Sequence, residues 1–432
     1  MAEHTSSPGS SVGYFTLVRE NRNFRLLWLG QIVSLFGDWF NLIASAALVS
    51  QLTESGLAVG GLFVLRMLAP FLISPFAGVA ADRYNRKRLL ILADLSRAAV
   101  VLGFLLVRDP SQVWLLYVLT FIQLAISGIF FPTRNAILPD IVSLRELGPA
   151  NALSSATWSV MLALGAALGG IVAGEWGVYP AFIIDGLTFI LSAAFIIGIR
   201  YTPPQSLIDS QQSIRAALED YLAGLRYLKE HIDILVLTLH KTANGLFASG
   251  TFQIVQVMLA EQVFVIGEGG GTSLGILYAV TGVGTGIGPI IARRFTGDRD
   301  RSLRIAIALS YAITILGLIL AAQLTSFGVV LFGTLLRAVG GGINWVFSTQ
   351  LLLQLVPNQV RGRVFSTEFA MLTLSNALGA AIGGYVLDGT TLGISGLLWL
   401  MAILTAIPGL LWVLWMAFGT RAKPAAEGAA ST

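Results

Sequence analysis

A short basic segment between two long apolar runs sets the strongest limit on how this chain can fold. The stretch 82–88 contains one aspartate, three arginines and one lysine. The apolar runs 60–81 and 89–107 on either side are each long enough to cross a hydrocarbon layer of about 30 Å as a helix. We therefore predict that 82–88 is a loop joining two membrane-spanning helices, on the cytoplasmic side because basic loops remain there.

The overall composition extends this prediction to the whole chain. Hydrophobic residues make up 55% of the sequence and charged residues only 12%, with a mean hydropathy of +0.78. A soluble domain usually has about 25% charged residues, so the sequence predicts a polytopic membrane protein. It has no cysteine, which excludes disulfides and thiolate metal sites. We expect no cofactor, no metal, no nucleic-acid partner and no enzymatic activity.

Twelve apolar runs have the length of a membrane span. We therefore predict an all-α fold of twelve transmembrane helices in two six-helix pseudo-repeats. The runs begin near Phe24, Leu57, Leu89, Val113, Asn151, Tyr179, Ile234, Ser273, Leu303, Phe327, Val364 and Leu397.

The positions of lysine and arginine predict the orientation of these spans. Four basic residues fall within spans, namely Arg66, Arg97, Lys241 and Arg337, and Arg108 falls in an outer loop. All others lie on the side of the 82–88 loop, as the positive-inside rule requires. We expect a multi-pass protein of the cell inner membrane with both termini in the cytoplasm.

One long polar interval divides the spans six and six. Its apolar residues recur at helical spacing opposite charged ones, which predicts an amphipathic helix on the inner membrane surface, with partner binding as the alternative. The predicted organisation is a cytoplasmic tail (1–23), a six-helix bundle (24–200), a cytoplasmic linker (201–233), a second bundle (234–419) and a cytoplasmic tail (420–432).

An internal repeat supports two equivalent halves. The sequence Leu-Gly-Ala-Ala-Leu-Gly-Gly at 164–170 recurs as Leu-Gly-Ala-Ala-Ile-Gly-Gly at 378–384. Gly78 and Arg83 have counterparts in Gly288 and Arg293 at nearly the same offset. Small residues at this spacing let helices approach closely, so we predict close helix packing at six glycines. These are Gly165, Gly169, Gly170, Gly379, Gly383 and Gly384.

The 82–88 loop also resembles the signature loop of the major facilitator superfamily. That signature has a glycine, an aspartate and several basic residues, which correspond here to Gly78, Asp82, Arg83, Arg86 and Lys87, with Asn85 where a glycine is usual. The resemblance implies transport by alternating access. It also implies that the loop locks the cytoplasmic side shut, with Arg134 and Arg363 as basic counterparts of Asp82.

Two further stretches are similar to exporters within that superfamily. The region 130–151 resembles the bacterial macrolide-efflux and enterobactin-exporter branch. The run 165–170 resembles the fifth-helix motif of proton-coupled exporters, with Ala166 where that motif has proline. This resemblance implies export of a small amphipathic compound in exchange for protons.

Asp38 and Arg66 are the candidates for proton coupling. Both lie inside predicted spans, at similar depth in antiparallel neighbours. A charge inside a span costs about 2.5–3.5 kcal/mol on insertion scales, so such residues usually face a cavity and have partners. We predict that Asp38 binds the coupling proton beside Arg66; a permanent structural ion pair is the alternative.

Other polar residues within spans have less specific interpretations. Asp94 and Arg97 are three residues apart, which predicts a local ion pair near the inner end of the third span. Arg337 and Asn344, together with Asp38, are candidates for contact with the transported compound. A second group lies nearer to the predicted helix ends, where we expect contact with the interface to solvate the side chains. It comprises Asp185, His240, Lys241 and Glu368.

The sequence therefore predicts a monomeric secondary transporter whose partners are a small amphipathic substrate, protons and the lipid bilayer. Proton-coupled efflux of a macrolide-like or multidrug substrate is the favoured function. A siderophore exporter and a lysophospholipid flippase or scramblase are the alternatives.

Overall fold

The computed structural model describes residues 13–202, 214–297 and 299–418. Within its helices, some side chains are not described. They belong to residues 74, 75, 77–79, 81–83, 144, 155, 159, 214–218, 220, 221, 358, 359 and 362. The first part of the predicted N-terminal tail, 1–12, and the whole predicted C-terminal tail, 420–432, lie outside the described residues.

The described chain is built of helices. In chain order they are α1 (Tyr14–Glu20), α2 (Arg22–Thr53), α3 (Gly56–Arg83), α4 (Arg86–Gly103), α5 (Val113–Ile141), α6 (Leu144–Glu175), α7 (Val178–Ile197), α8 (Ile214–Glu230), α9 (Ile232–Asn244), α10 (Thr251–Met258), α11 (Gly271–Thr296), α12 (Asp300–Ala322), α13 (Phe327–Leu355), α14 (Asn358–Gly389) and α15 (Gly393–Phe418).

Eleven of the described helices are long and apolar enough to cross a membrane. The predicted seventh span is the exception, because π-helical turns at Gly245–Gly250 and Leu259–Val263 divide it into α9 and α10. None of its pieces alone has the length of a span, but together they run from 232 to 263. With this composite span, the architecture agrees with the predicted twelve.

We name the two ends of the helix bundle by their charges. The basic end carries the loop between α3 and α4, and the acidic end carries Glu54, Asp109, Glu175 and Asp388. Helices α2–α7 form the N half, and the spans from α9 to α15 form the C half. At the basic end, α8 packs mainly against α14 and also contacts α3.

The glycine repeat of the N half lies where helices come closest. A Cβ built on Gly165 would meet Trp39 of α2 at 3.0 Å, and one on Gly169 would meet the Phe40 Cα at 3.1 Å. A Cβ on Gly170 faces the other half, where it would lie 2.4 Å from the Gly275 Cα of α11. The missing side chains at these three positions let the helix backbones approach closely.

The repeat in the C half makes equivalent contacts. A Cβ on Gly379 would lie 2.4 Å from the Leu246 carbonyl oxygen, and one on Gly383 would lie 2.8 Å from Thr251 Cγ2, both in the composite seventh span. A Cβ on Gly384 would point towards the N half, where it would lie 2.5 Å from the Gly56 carbonyl oxygen of α3. In each repeat, two glycines face their own half and the last glycine faces the other.

The glycine contacts between the halves lie in the acidic-end part of the bundle. In α6 and α11, they run from Ala163 against Gly282 to Gly174 against Thr272. In α3 and α14, they include Gly60 against the Ala380 carbonyl. Towards the basic end of α11, a Cβ on Gly286 would have nothing within 4 Å. The structure therefore has its halves joined at the acidic end.

We predict that Gly275→Ala destabilises the protein while Gly286→Ala in the same helix does not. The new Cβ at 275 would lie 2.6 Å from the Gly170 Cα, and overpacking of this kind costs about 1–3 kcal/mol. At 286 the space is open, and alanine favours a helix over glycine by about 0.5–1 kcal/mol. Thermal unfolding in one detergent should give a lower midpoint for Gly275→Ala only; equal midpoints would contradict the packing argument.

Candidate functional site

Five charged side chains come together inside the N half. Asp38 of α2 interacts electrostatically with Arg66 of α3 and with Asp94 and Arg97 of α4. Asp185 of α7 interacts with Asp38, Arg97 and Arg66. The cluster thus joins four helices that are distant in sequence, and it contains three carboxylates and two guanidinium groups.

Asp94 and Arg97 form the predicted local ion pair. Arg97 donates a hydrogen bond to the Asp94 carboxylate, and both side chains are fully buried. The Arg97 guanidinium also lies over the rings of Phe130 and Phe189, at 4.2 Å from each centroid. Contact with two ring faces offsets part of the loss of water around this cation. The pair belongs to the central cluster rather than to the helix end where the sequence placed it.

Asp185 is also part of this interior cluster, so the prediction that it is solvated near a helix end is wrong. Its side chain is completely buried. Gln123 donates to its carboxylate at 3.5 Å, and a Cβ on Gly37 would lie 2.4 Å from the Asp185 carboxylate oxygen Oδ1. The absence of a side chain at Gly37 therefore makes room for this carboxyl group between α2 and α7.

Asp38 and Arg66 differ from the rest of the cluster in remaining partly accessible. Each is half-buried, whereas Asp94, Arg97 and Asp185 are fully enclosed. Their predicted proximity agrees with the structure, in which each carries an electrostatic interaction with the other. Asp38 is therefore the most accessible carboxyl group of the cluster.

The C half contains a separate buried ion pair. Lys241 lies 2.6 Å from a Glu368 carboxylate oxygen, donates to Thr349 at 2.9 Å and sits 3.9 Å from the Trp345 ring centroid. Lys241 is 3% exposed and Glu368 4%. The prediction that Lys241 and Glu368 are solvated at the membrane interface is therefore wrong. The two charges are buried and compensate each other as an ion pair.

His240 is likewise enclosed rather than interfacial. Its two ring nitrogens lie 3.0 Å from the Tyr311 hydroxyl and 3.0 Å from the Ser348 hydroxyl. Its ring packs against Trp412, with the centroids 4.4 Å apart. Both nitrogens therefore have hydrogen-bond partners, which favours a packed structural histidine.

Arg337 lies on α13 in the middle of the C half. It is 7% exposed, and its guanidinium lies 3.9 Å from the Phe252 ring centroid. Tyr278 of α11 interacts electrostatically with both Arg337 and Arg66, so the two arginines approach the same phenol from opposite halves. Asn344 lies on the same helix, 2% exposed. The predicted substrate-contact residues thus lie on both sides of the interface between the halves.

Part of the predicted cytoplasmic lock is described. Asn85, which replaces the usual glycine, caps α4 by accepting a hydrogen bond from the Arg88 backbone at 3.1 Å. Arg86 pairs with Asp140 of α5 at 2.7 Å, and Lys87 donates to the Ile197 carbonyl of α7 at 2.8 Å. The side chains of Asp82 and Arg83, and the space around Gly78, lie outside the description.

Tyr201 extends this basic-end network. Its hydroxyl donates to the Asp140 carboxylate at 3.0 Å. Burial and the neighbouring carboxylate together raise the pKa of Tyr201 to about 12, so the phenol remains protonated and keeps donating at neutral pH.

The two proposed basic counterparts of Asp82 occupy different places. Arg134 is buried in the N half, where it donates to Gln31 and, at 2.6 Å, to the Ser154 hydroxyl. Arg363 is exposed on α14, and its backbone carbonyl would lie 2.6 Å from a Cβ on Gly224 of α8. The linker helix therefore covers the part of α14 that carries Arg363.

The acidic end contains a direct hydrogen-bonded contact between the halves. The Asp388 carboxylate at the end of α14 accepts from the Ser55 hydroxyl at 2.5 Å, the Gly56 backbone at 2.8 Å and the Leu57 backbone at 2.9 Å. These donors lie at the N-terminus of α3, where free N–H groups and the helix dipole favour a carboxylate. We call this contact the acidic-end latch.

Sequence reasoning missed this latch and the position of Asp185. A serine before an apolar run is a helix N-cap signal, so Ser55 was detectable as a cap. No pattern links it to an aspartate more than three hundred residues away. No group of three or more histidine or acidic residues suited to a metal occurs in the part of the chain that the structure describes.

Two six-helix halves around a charged interior agree with the family comparison. A family model described as Major Facilitator Superfamily matches residues 27–367. The chain belongs to the Major Facilitator Superfamily. It is thus a multi-pass membrane transporter, as the resemblance of the 82–88 loop predicted.

Relatives within the superfamily include exporters. The chain is 25% identical to a putative bacilysin exporter, BacE of Bacillus subtilis, covering 83% of this chain and 88% of the relative. It is 22% identical to macrolide efflux protein A of Streptococcus pyogenes, covering 84% and 89%. A bacterial homologue of the lysosomal transporter Spinster, in an inward-facing and occupied conformation, shares the fold with a TM-score of 0.68, 16% identity and coverage of 92% and 97%.

A separate apolar cavity lies within the C half. It has a volume of about 790 Å³ and is bounded by the composite seventh span, α14 and α15, with the rings of His240 and Trp412 in its wall. Leu378 and Leu411 line it and are themselves exposed on the outer surface of the helix bundle. The cavity therefore opens sideways, at the depth of the membrane interior.

We predict that Asp388→Ala loosens the acidic end. The change leaves the Ser55, Gly56 and Leu57 donors without their carboxylate and removes a bond between the halves. Because the chain has no cysteine, Thr272→Cys, placed beside Gly174 in the same end, gives a single reporter. A membrane-impermeant maleimide should label this cysteine several-fold faster in the Asp388→Ala background.

Asp109→Ala is the matched control for this measurement. Asp109 also accepts a backbone hydrogen bond at the acidic end, from Ser111 at 3.0 Å, but entirely within the N half. It should leave the labelling rate unchanged. Equal rates in the Asp388 and Asp109 variants would show that the latch does not hold the halves together.

Proposed function

We propose that this transporter exports bulky amphipathic compounds in exchange for protons, by alternating access. The N-half cluster is the observation that carries the proposal. With three carboxylates and only two guanidinium groups, its fully ionised form has an unbalanced negative charge in a low-dielectric interior. One bound proton removes that imbalance, and Asp38 is the partly accessible carboxyl group that can take it.

Export is the direction that the relatives support. One is named for the export of bacilysin and the other for the efflux of macrolides. We place the basic end in the cytoplasm of a bacterial inner membrane, on the positive-inside rule. The structure then has its outer end closed by the acidic-end latch, and cargo would enter between the halves from the cytoplasmic side.

Alternating access would exchange two sets of contacts. When the halves rock, the glycine contacts and the latch at the acidic end separate while the basic ends approach. The 82–88 loop, with Asp82 and Arg83, would then meet the facing half and lock the cytoplasmic side. A cluster that has bound a proton outside could release it inside once its surroundings change.

We predict that Asp38→Asn abolishes proton-driven export. The amide has nearly the same size as the carboxyl group but cannot gain or lose a proton. In efflux-deficient cells, the wild type should lower erythromycin accumulation, and a protonophore should remove the effect. Cells with Asp38→Asn should accumulate erythromycin as empty cells do, with equal protein in the membrane.

Asp109→Asn is a suitable control, since Asp109 is an exposed carboxylate at the acidic end, outside the cluster and outside the cytoplasmic lock. Export by this variant should remain sensitive to the protonophore. Wild-type export in Asp38→Asn cells would exclude Asp38 as the coupling residue. Export by the wild type that ignores the protonophore would exclude proton coupling altogether.

The sideways-opening cavity favours movement of a lipid-like cargo as the second candidate function. If the protein moves lysophospholipid, purified chain in liposomes should carry a fluorescent lysophosphatidylethanolamine between leaflets. Leu411→Trp should slow this movement because it fills the cavity, whereas Leu410→Trp on the adjacent exposed position should not. Lipid movement at the rate of protein-free liposomes would exclude this function.

A further inference from the structure

Among the described residues, Arg337 has neither an acidic partner nor a side-chain hydrogen bond. Arg134 also has no acidic partner, but it donates to Gln31 and to Ser154. Arg97 pairs with Asp94, Lys241 with Glu368 and Arg304 with Asp300. Among the described residues, none of the ion pairs involves Arg337, and Tyr278 is its principal electrostatic neighbour. Burying an unpaired charge is costly, so a stable protein retains one where something else compensates it.

The immediate surroundings of Arg337 compensate it only in part. The Phe252 ring faces the guanidinium at 3.9 Å, which is a cation–π contact. The Nε atom is enclosed and makes no hydrogen bond, while the two terminal nitrogens are not enclosed in this way. The guanidinium therefore has free donors on the side that remains accessible.

The backbone holds Arg337 firmly in this position. A Cβ on Gly317 of α12 would lie 2.4 Å from the Arg337 backbone nitrogen, so the two helices touch at this level. Arg337 lies ten residues, or about 15 Å, from the acidic end of α13, which is farther than an arginine side chain extends. Its charge therefore stays in the interior in every state that preserves this contact.

We propose that Arg337 binds a carboxylate of the transported compound. The inference rests on the proposed role as an exporter and specifies the class of cargo. A single guanidinium is balanced by a single negative charge, and its planar set of donors matches a carboxylate in a two-point hydrogen bond. The site then prefers an amphipathic acid over a purely cationic or neutral compound of similar size.

Neighbouring groups suit the rest of such a molecule. Trp39 is partly accessible and supplies aromatic surface; it packs against Tyr278 with ring centroids 5.8 Å apart. Asn344 lies about two helical turns from Arg337 on the same face of α13. Both atoms of its amide are enclosed, as the Arg337 Nε atom is, so this amide is not accessible to the cargo in this structure.

The two halves then have complementary tasks. The spare positive charge lies in the C half at Arg337, and the spare negative charge lies in the N half around Asp38. A carboxylate cargo neutralises the first and a proton neutralises the second. Each ligand thus has its own counter-charge, and the proton does not compete with the cargo for one group.

The test uses purified full-length chain in detergent and three dansyl compounds that differ in charge. Dansyl-phenylalanine carries a carboxylate, its amide is neutral, and dansylcadaverine carries an amine. Binding is measured by fluorescence anisotropy and by the shift in thermal unfolding midpoint. We expect the acid to bind the wild type at least about tenfold more tightly than the amide, and the amine to bind no better than the amide.

Arg337→Gln should remove the preference for the acid, and Arg337→Lys should keep part of it. Without ligand, Arg337→Gln should unfold at the same temperature as the wild type or higher, because it removes an unpaired buried charge. Arg304→Gln is the control: it removes a buried arginine that already has a carboxylate 3.0 Å away. It should unfold at a lower temperature and keep the preference for the acid.

Equal binding of acid and amide by the wild type, including no binding of either, would overturn the proposal. So would an Arg337→Gln variant that still prefers the acid. These measurements use no proton gradient, so they remain valid if the chain does not export anything by proton exchange. Conversely, proton-driven export of erythromycin with no preference for acids would retain the proposed function and refute the proposed cargo.

Discussion

Close contact between glycine backbones is the interaction on which the arrangement of the two halves depends. Lipid tails are as apolar as the helix surfaces, so the hydrophobic effect does little to join helices within a bilayer, and close packing has to do so. Gly170 against Gly275 and Gly384 against Gly56 supply that packing. These contacts lie in the acidic-end part of the bundle, so they join the halves there.

Within each half, charge is what distinguishes otherwise similar bundles. The N half concentrates carboxylates around Arg66 and Arg97, whereas the C half has a closed pair at Lys241 and Glu368 and an open cation at Arg337. A duplicated fold therefore carries unlike chemistry in its two copies. In the proposed mechanism, this asymmetry assigns the proton to the N half and the cargo to the C half.

The sequence predicts local features well and distant contacts poorly. The hairpin at 82–88 follows from hydropathy, and the ion pair of Asp94 with Arg97 follows from helical spacing. Asp185 was misplaced because its neighbours depend on α7 packing against α2, which no local pattern encodes. The latch depends on how two halves meet, and Lys241 seemed interfacial because Glu368 is far away in sequence. The π-helical turns have no counterpart in the hydrophobic pattern.

Those π-helical turns change which side chains of the seventh span face the interior, compared with a continuous α-helix. Each π turn accommodates an extra residue, so the segment after Gly250 is rotated relative to a continuous α-helix by about 100° per inserted residue. The rotation determines that Phe252 faces Arg337 and that Gln256 meets Thr281. A π turn that relaxed to α geometry would rotate the segment after it by the same angle, so that different side chains of this span would face the interior.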